Sequence, residues 1–184
     1  MSINDLKIHS QTYVAGDWTG DQDAIKRLEE WNESSHWGLH YNDVHKKTQS
    51  RDTTLNCNIK ESLRKRMKVS KTFVLVVGSE TNGLTAGECR YCPHYMSFMT
   101  LPPRCSKGYS IDNRSYIKYE CDLAIKEGCK IVVLYNSTRV DKSKCPEVLR
   151  GYPTHVAMKK HVTTSWGAGY TEWDYDAVKK AITQ

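Results

Sequence analysis

Two short runs constrain this chain more than any other feature. Residues 73–77 (Phe, Val, Leu, Val, Val) and 131–135 (Ile, Val, Val, Leu, Tyr) are apolar at every position and rich in β-branched side chains. A strand that is apolar on both faces has to be covered on both. That is the condition of a central strand in a parallel sheet sandwiched between helices. Both runs are far shorter than the ~20 residues that a membrane-spanning helix needs.

The rest of the chain supplies the partners of such strands. Residues 11–15 read as a first strand ending at Gly16, followed by a loop through Gly20. Asp21 is placed to cap a helix reaching Asn32, with Ala24, Ile25, Leu28 and Trp31 on one stripe. Trp37, Leu39 and Tyr41 alternate with smaller or polar residues, as a second strand would. Leu55, Ile59, Leu63 and Met67 recur every four residues and predict a helix over 54–69. A third helix is expected over 113–127, stopped by Gly128. A last strand near 155–158 and a closing helix from about Thr171, with Tyr175, Val178 and Ile182 inward, complete the pattern. Alternating strands and helices over 184 residues predict a single α/β domain. Its sheet is a doubly wound, parallel, five-stranded one of flavodoxin-like order 2-1-3-4-5, with an irregular Cys-, Gly- and Pro-rich insert at 79–111 between the third strand and third helix. Ligands in such sheets bind at the carboxyl ends of the strands.

Composition narrows the function classes. The chain carries 27 basic and 21 acidic residues, a net charge of +6 with the signs interspersed. That suits solubility and a mild attraction to phosphates, and does not single out nucleic acid. The densest basic stretch, from Lys60 to Lys71, reads as a solvated helix face; a domain that binds nucleotides or nucleic acid through it is the weaker alternative. No apolar signal segment opens the sequence, and seven cysteines is an odd number, so a cytoplasmic protein with thiols rather than a disulfide framework is expected. Neither a G-x-G-x-x-G fingerprint, a Walker lysine nor a G-x-S-x-G elbow is present.

The cysteines themselves form a pattern. Cys89 and Cys92 make a C-x-x-C, and Cys105 follows in the same insert. Three thiols so placed resemble part of a tetrahedral zinc knuckle, with Cys57 or His94 as the fourth ligand. Cys57 lies off the stripe that Leu55 and Ile59 define, so packing does not account for it. An irregular segment of roughly 33 residues is costly to order by itself, and a metal would supply stability. Free thiols are the alternative; a thioredoxin-like pair does not fit the placement.

Glu120 is the one carboxylate with a marked position. It lies at the edge of the third helix's stripe of Ile117, Cys121, Ala124 and Ile125, roughly 85° from its centre, with Tyr116 one turn earlier. Periodicity alone would make it a solvated glutamate beside a buried face.

The sequence around it adds a resemblance. Residues 114–120 (Arg, Ser, Tyr, Ile, Lys, Tyr, Glu), followed by 124–128 and 130–132, resemble TIR-like domains, and especially the ThsB TIR proteins of bacterial Thoeris anti-phage systems. Segments 12–17, 43–47, the helix through Arg66 and 71–78 match in order and spacing. Catalytic members of that family cleave NAD+, releasing nicotinamide, with a glutamate on this helix as the essential residue. The resemblance implies that role for Glu120 here. It further implies an ADP-ribose-derived signalling nucleotide, self-association on activation, and an effector that is a separate protein reached by that diffusible product. On the expected topology Asp17, Trp18, Tyr116 and His45 would border the substrate, Trp18 by stacking on a ring and His45 as a contact or proton shuttle. A non-catalytic TIR-like interaction module is the alternative, since fold alone does not establish activity.

Overall fold

The computed structural model describes residues 10–39, 41–43, 55–97 and 102–184. Five strands form one sheet: β1 (Ser10–Ala15), β2 (Tyr41–Asp43), β3 (Thr72–Val77), β6 (Lys130–Tyr135) and β7 (His155–Ala157). They lie in the order β2-β1-β3-β6-β7, all parallel. Counting only these five, that is the expected flavodoxin-like order. Four helices pack on it: α1 (Gln22–Glu33), α2 (Asn56–Met67), α3 (Tyr116–Lys126) and α4 (Tyr175–Thr183).

The register explains why the central runs have no polar face. Tyr13, Phe73 and Ile131 stand side by side, and with Leu75, Val77, Val133 and Tyr135 they face a cluster completed by Leu63 and Met67 of α2 and Ile117, Cys121 and Ala124 of α3. The alternate residues, Val14, Val74, Val76, Val132 and Leu134, face a second cluster built from Ala24, Ile25, Leu28 and Trp31 of α1 and Val178 and Ile182 of α4. Strand periodicity thus divides one apolar run between two cores.

Several expected boundaries move. The alternation at Trp37, Leu39 and Tyr41 does not make one strand. Gly38 takes a left-handed φ of 50°, which breaks the extended chain, so β2 begins at Tyr41. Trp37 stays 43% exposed and packs edge-on against Tyr175. The stripe of α2 is rotated: Leu63 and Met67 are buried as expected, Ile59 only partly, and Lys60 is buried with them. The closing helix begins at Tyr175, not Thr171, because residues before it form a hairpin of β8 (Lys159–Thr163) with β9 (Gly169–Trp173). Asp174 then caps α4 by accepting from the Ala177 amide at 3.2 Å.

The long connection between β3 and α3 is not wholly irregular either. It holds two short 3-10 turns, Thr81–Gly83 and Cys89–Tyr91, and an antiparallel pair of β4 (Tyr95–Met96) with β5 (Arg104–Cys105). It is tied to α2 by Lys60. The Lys60 ammonium donates to the carbonyls of Asp112 (3.0 Å) and Arg114 (2.7 Å) and lies 3.4 Å from the Asp112 carboxylate. Lys60 therefore departs from the solvated face expected of its stretch, while Arg64 and Lys65 keep to that face beside Glu61. Among the described residues no helix is long and apolar enough to cross a membrane.

Candidate active site around Glu120

Glu120 lies deeper than its helical period implies. It is 4% exposed, enclosed between α3 and the sheet. The reason lies outside the helix: Tyr13 of β1 reaches up from the sheet and donates a hydrogen bond of 2.5 Å to Glu120 Oε1. Sequence reading did not single out Tyr13, because a tyrosine in a buried strand looks like core. Arg66, in the last turn of α2, adds a favourable positive field.

These influences oppose one another. Burial raises the pKa of Glu120, and the Tyr13 hydroxyl and Arg66 only partly offset it, so the carboxyl is pushed up to about 7. Burial, together with the adjacent carboxylate, moves Tyr13 well above the ordinary phenol value, so Tyr13 remains a donor. The pair is a carboxyl poised between its charged and neutral forms near neutral pH, with a fixed hydroxyl on one oxygen. Perturbed acids of this kind are where carboxylate chemistry is most often found.

The other expected site residues fall in different places. Asp17 and Trp18 occupy the loop after β1, at the carboxyl ends of the strands. Asp17 folds back on that loop, its Oδ1 accepting from the Thr19 amide at 2.9 Å. Trp18 is 41% exposed there. Tyr116 precedes Glu120 by a turn, but its hydroxyl donates to Asn56 of α2 at 2.9 Å and its ring covers Gly87. Its contacts therefore point to the β3–α3 connection. His45 lies outside the described residues.

A second polar group at the strand ends was also not foreseen. Asp21 is 3% exposed, and its carboxylate accepts from the Asn136 side chain at 3.1 Å instead of capping α1. A Cβ on Gly78 would come within 2.0 Å of Asp21 Oδ1, so only glycine leaves room for this carboxylate. Burial raises the Asp21 carboxyl, against hydrogen bonds from Asn136 and Thr81. Asn136 also donates to Asp23 at 2.8 Å. The group joins the ends of β1, β3 and β6, the crevice where such sheets bind ligands.

Cys57, Cys89, Cys92 and Cys105 come together. All four line one small cavity with His94 and Tyr109. As placed, no three His, Cys, Asp or Glu side chains among the described residues converge closely enough to hold a metal ion. All seven cysteines are free thiols.

A five-stranded parallel sheet of this order, flanked by four helices, defines a flavodoxin-like α/β domain. The comparison of sequences specifies it further: the family described as "Thoeris protein ThsB, TIR-like domain" matches residues 12–86, from β1 through the first part of the β3–α3 connection. The TIR-like resemblance is borne out over that span. No curated protein matches the chain.

Proposed function

We propose that this chain is a TIR-type enzyme that breaks the nicotinamide–ribose bond of NAD+ at Glu120 and forms an ADP-ribose-derived signal in Thoeris anti-phage defence. The observation that carries the reading is the buried Glu120 carboxyl, held by Tyr13 at 2.5 Å and pushed up to about 7, in a chain whose residues 12–86 match the ThsB TIR-like family. Departure of nicotinamide leaves an oxocarbenium-like ribose, and an ionised carboxylate in a low-dielectric site stabilises that charge strongly. Nicotinamide leaves as a neutral molecule, so one carboxylate suffices. Exposed Trp18 at the strand ends is the natural partner for a nicotinamide or adenine ring, and Asp17 shares its loop.

With only 4% of its surface exposed, Glu120 meets a ribose after neighbouring elements give way. The proposal therefore puts catalysis in an assembled or activated form and the response in a separate effector. The same burial favours a second reading. A protonated Glu120 bonded to Tyr13 is also a sound structural element of a non-catalytic TIR-like interaction module.

Mass-resolved chromatography of NAD+ incubated with concentrated wild type and with Glu120→Gln separates the two. Nicotinamide release by wild type alone supports the enzyme, and the mass of the second product identifies hydrolysis, cyclisation or transfer. Equal release by both removes Glu120 from the chemistry. Silence from both in the assembled protein supports the module.

A further inference from the structure

Four of the seven cysteines stand on three separate stretches of chain and face one cavity. Cys57 is in the first turn of α2, Cys89 and Cys92 bracket a 3-10 turn, and Cys105 ends β5. The cavity is about 20 Å³, room for a single ion- or water-sized body. Core packing alone gives no reason for four thiols to gather at a surface connection. The three thiols outside this group, Cys121, Cys129 and Cys145, are buried, as packing thiols are.

The backbone around the cavity has the form of a metal knuckle. The Cys92 amide donates to the Cys89 carbonyl at 2.8 Å, closing the C-x-x-C turn. Cys105 repeats the device: the Gly108 amide donates to its carbonyl at 2.9 Å, and Gly108 supplies the left-handed φ of 77° that the turn requires. The β4–β5 pairing sets Tyr95 opposite Cys105 and so holds the two turns against each other. The Asp112 amide donates to Cys89 Sγ at 3.3 Å, which fixes that sulfur against the end of the connection. Cys57 meets them from the first turn of α2, whose preceding residue, Leu55, offers no side-chain cap.

We propose that Cys57, Cys89, Cys92 and Cys105 bind one structural zinc ion, which clamps the β3–α3 connection onto the start of α2. Four thiolates in tetrahedral array are a closed zinc site, with Zn–S distances of about 2.3 Å. On binding, the four thiols release their protons to solvent and four Zn–S bonds form; nothing is oxidised or reduced. As placed, no three of these side chains converge closely enough to hold an ion, so binding draws the sulfurs inward on it. Cys57 is taken as the fourth ligand because it lines the same cavity and lies close enough to Cys105 and Cys89 to feel their charge. The ion would sit beside Asn56, which receives the Tyr116 hydroxyl at 2.9 Å and donates to the Glu88 carbonyl at 3.4 Å. Through those bonds it positions the first turn of α3.

The test is metal content of the full chain purified under reducing conditions and freed of loose ions, with thiol alkylation before and after a strong chelator. One zinc per chain is expected, with Cys57, Cys89, Cys92 and Cys105 becoming alkylated only after chelation. Zinc is retained in Cys129→Ala and lost in Cys57→Ser and Cys92→Ser. Cobalt loaded in place of zinc in wild type gives the intense visible bands of tetrahedral four-thiolate coordination, which keeps the assignment testable where a variant fails to fold. Absence of zinc, alkylation independent of chelator, protection lifted only by a reductant (a disulfide), or zinc retained in Cys57→Ser overturns it.

Discussion

Replacing Glu120 with glutamine should shift this protein's stability relative to wild type upward as pH rises from acid to mildly alkaline, and the size of the effect follows from the site. The Glu120 carboxyl stands at about 7 in the fold against 4.5 ordinarily, a difference of 7 − 4.5 = 2.5 units. At ~1.36 kcal/mol per unit this amounts to ~3 kcal/mol. The sign is fixed by proton counting. Between the two values the folded chain holds a proton that the unfolded chain has released, so stability falls as pH rises across that window and levels off above it. The contribution is fully present below pH 4.5 and lost above about 7. Glutamine keeps an oxygen for Tyr13 and removes the titration. The cost of fitting its extra amide hydrogens, ~1–3 kcal/mol, does not depend on pH. The quantity to measure is therefore the stability of Glu120→Gln minus that of wild type, from urea unfolding at several pH values at constant ionic strength. Groups common to both proteins cancel, and this difference should grow by ~3 kcal/mol from acid to mildly alkaline pH. A difference constant within ~0.5 kcal/mol would refute the argument, because it would mean that Glu120 titrates as an ordinary surface acid. Loss of NAD+ cleavage in the same variant would complete the case for a residue kept at the expense of stability.

Three further outcomes are expected. Activity should rise with pH through about 7, where Glu120 gains its charge, and Tyr13→Phe should move that rise to higher pH, since the Tyr13 hydrogen bond lowers the Glu120 value; a pH–rate profile reads both. Gly87→Ala should cost about 2–4 kcal/mol in denaturant unfolding, because Gly87 has φ of 94° and a Cβ there would lie 2.6 Å from the Tyr116 ring; Gly83→Ala, with nothing within 4 Å, is the neutral control. Lys60→Met should cost ~3 kcal/mol in the same assay, since it strips the Asp112 and Arg114 carbonyls and the Asp112 carboxylate of a buried cation.

The sheet was legible because its information is local: two runs apolar on both faces admit few other folds, and the stripe of α1 names its own buried side; that of α3 holds for Ile117, Cys121 and Ala124, but Ile125 is 37% exposed and Leu123 is buried instead. What escaped depends on contacts between distant segments. Glu120 sits at the edge of its helical stripe by angle, and only the reach of Tyr13 from β1 makes that edge an interior. Lys60 cannot be read as buried without knowing that two carbonyls 52 and 54 residues further on will meet its ammonium. The β8–β9 hairpin escaped for another reason. Its strands pack little of their surface, so Lys159–Thr163 and Gly169–Trp173 lack the apolar alternation that marks a half-buried strand. The gathering of Cys57 with Cys89, Cys92 and Cys105 was readable from spacing, because a thiol off its helix stripe and a C-x-x-C both ask for a partner.

These features meet on α2. Its fully buried apolar side chains are only Leu63 and Met67, too few to fix a helix of 12 residues along its own axis. Polar contacts supply what packing does not: Asn56 to Glu88 and Tyr116 at one end, Lys60 to Asp112 and Arg114 in the first half, and the thiol of Cys57 facing the cavity. Hydrogen bonds are directional where apolar contacts are not, so they set the axial position of the helix more sharply. Arg66 stands at the far end of that same rigid rod, and its field is one of the two influences that keep the Glu120 carboxyl from rising further. The electrostatics of the buried acid are thus set partly by contacts made ten residues earlier, at the opposite end of α2 from Arg66.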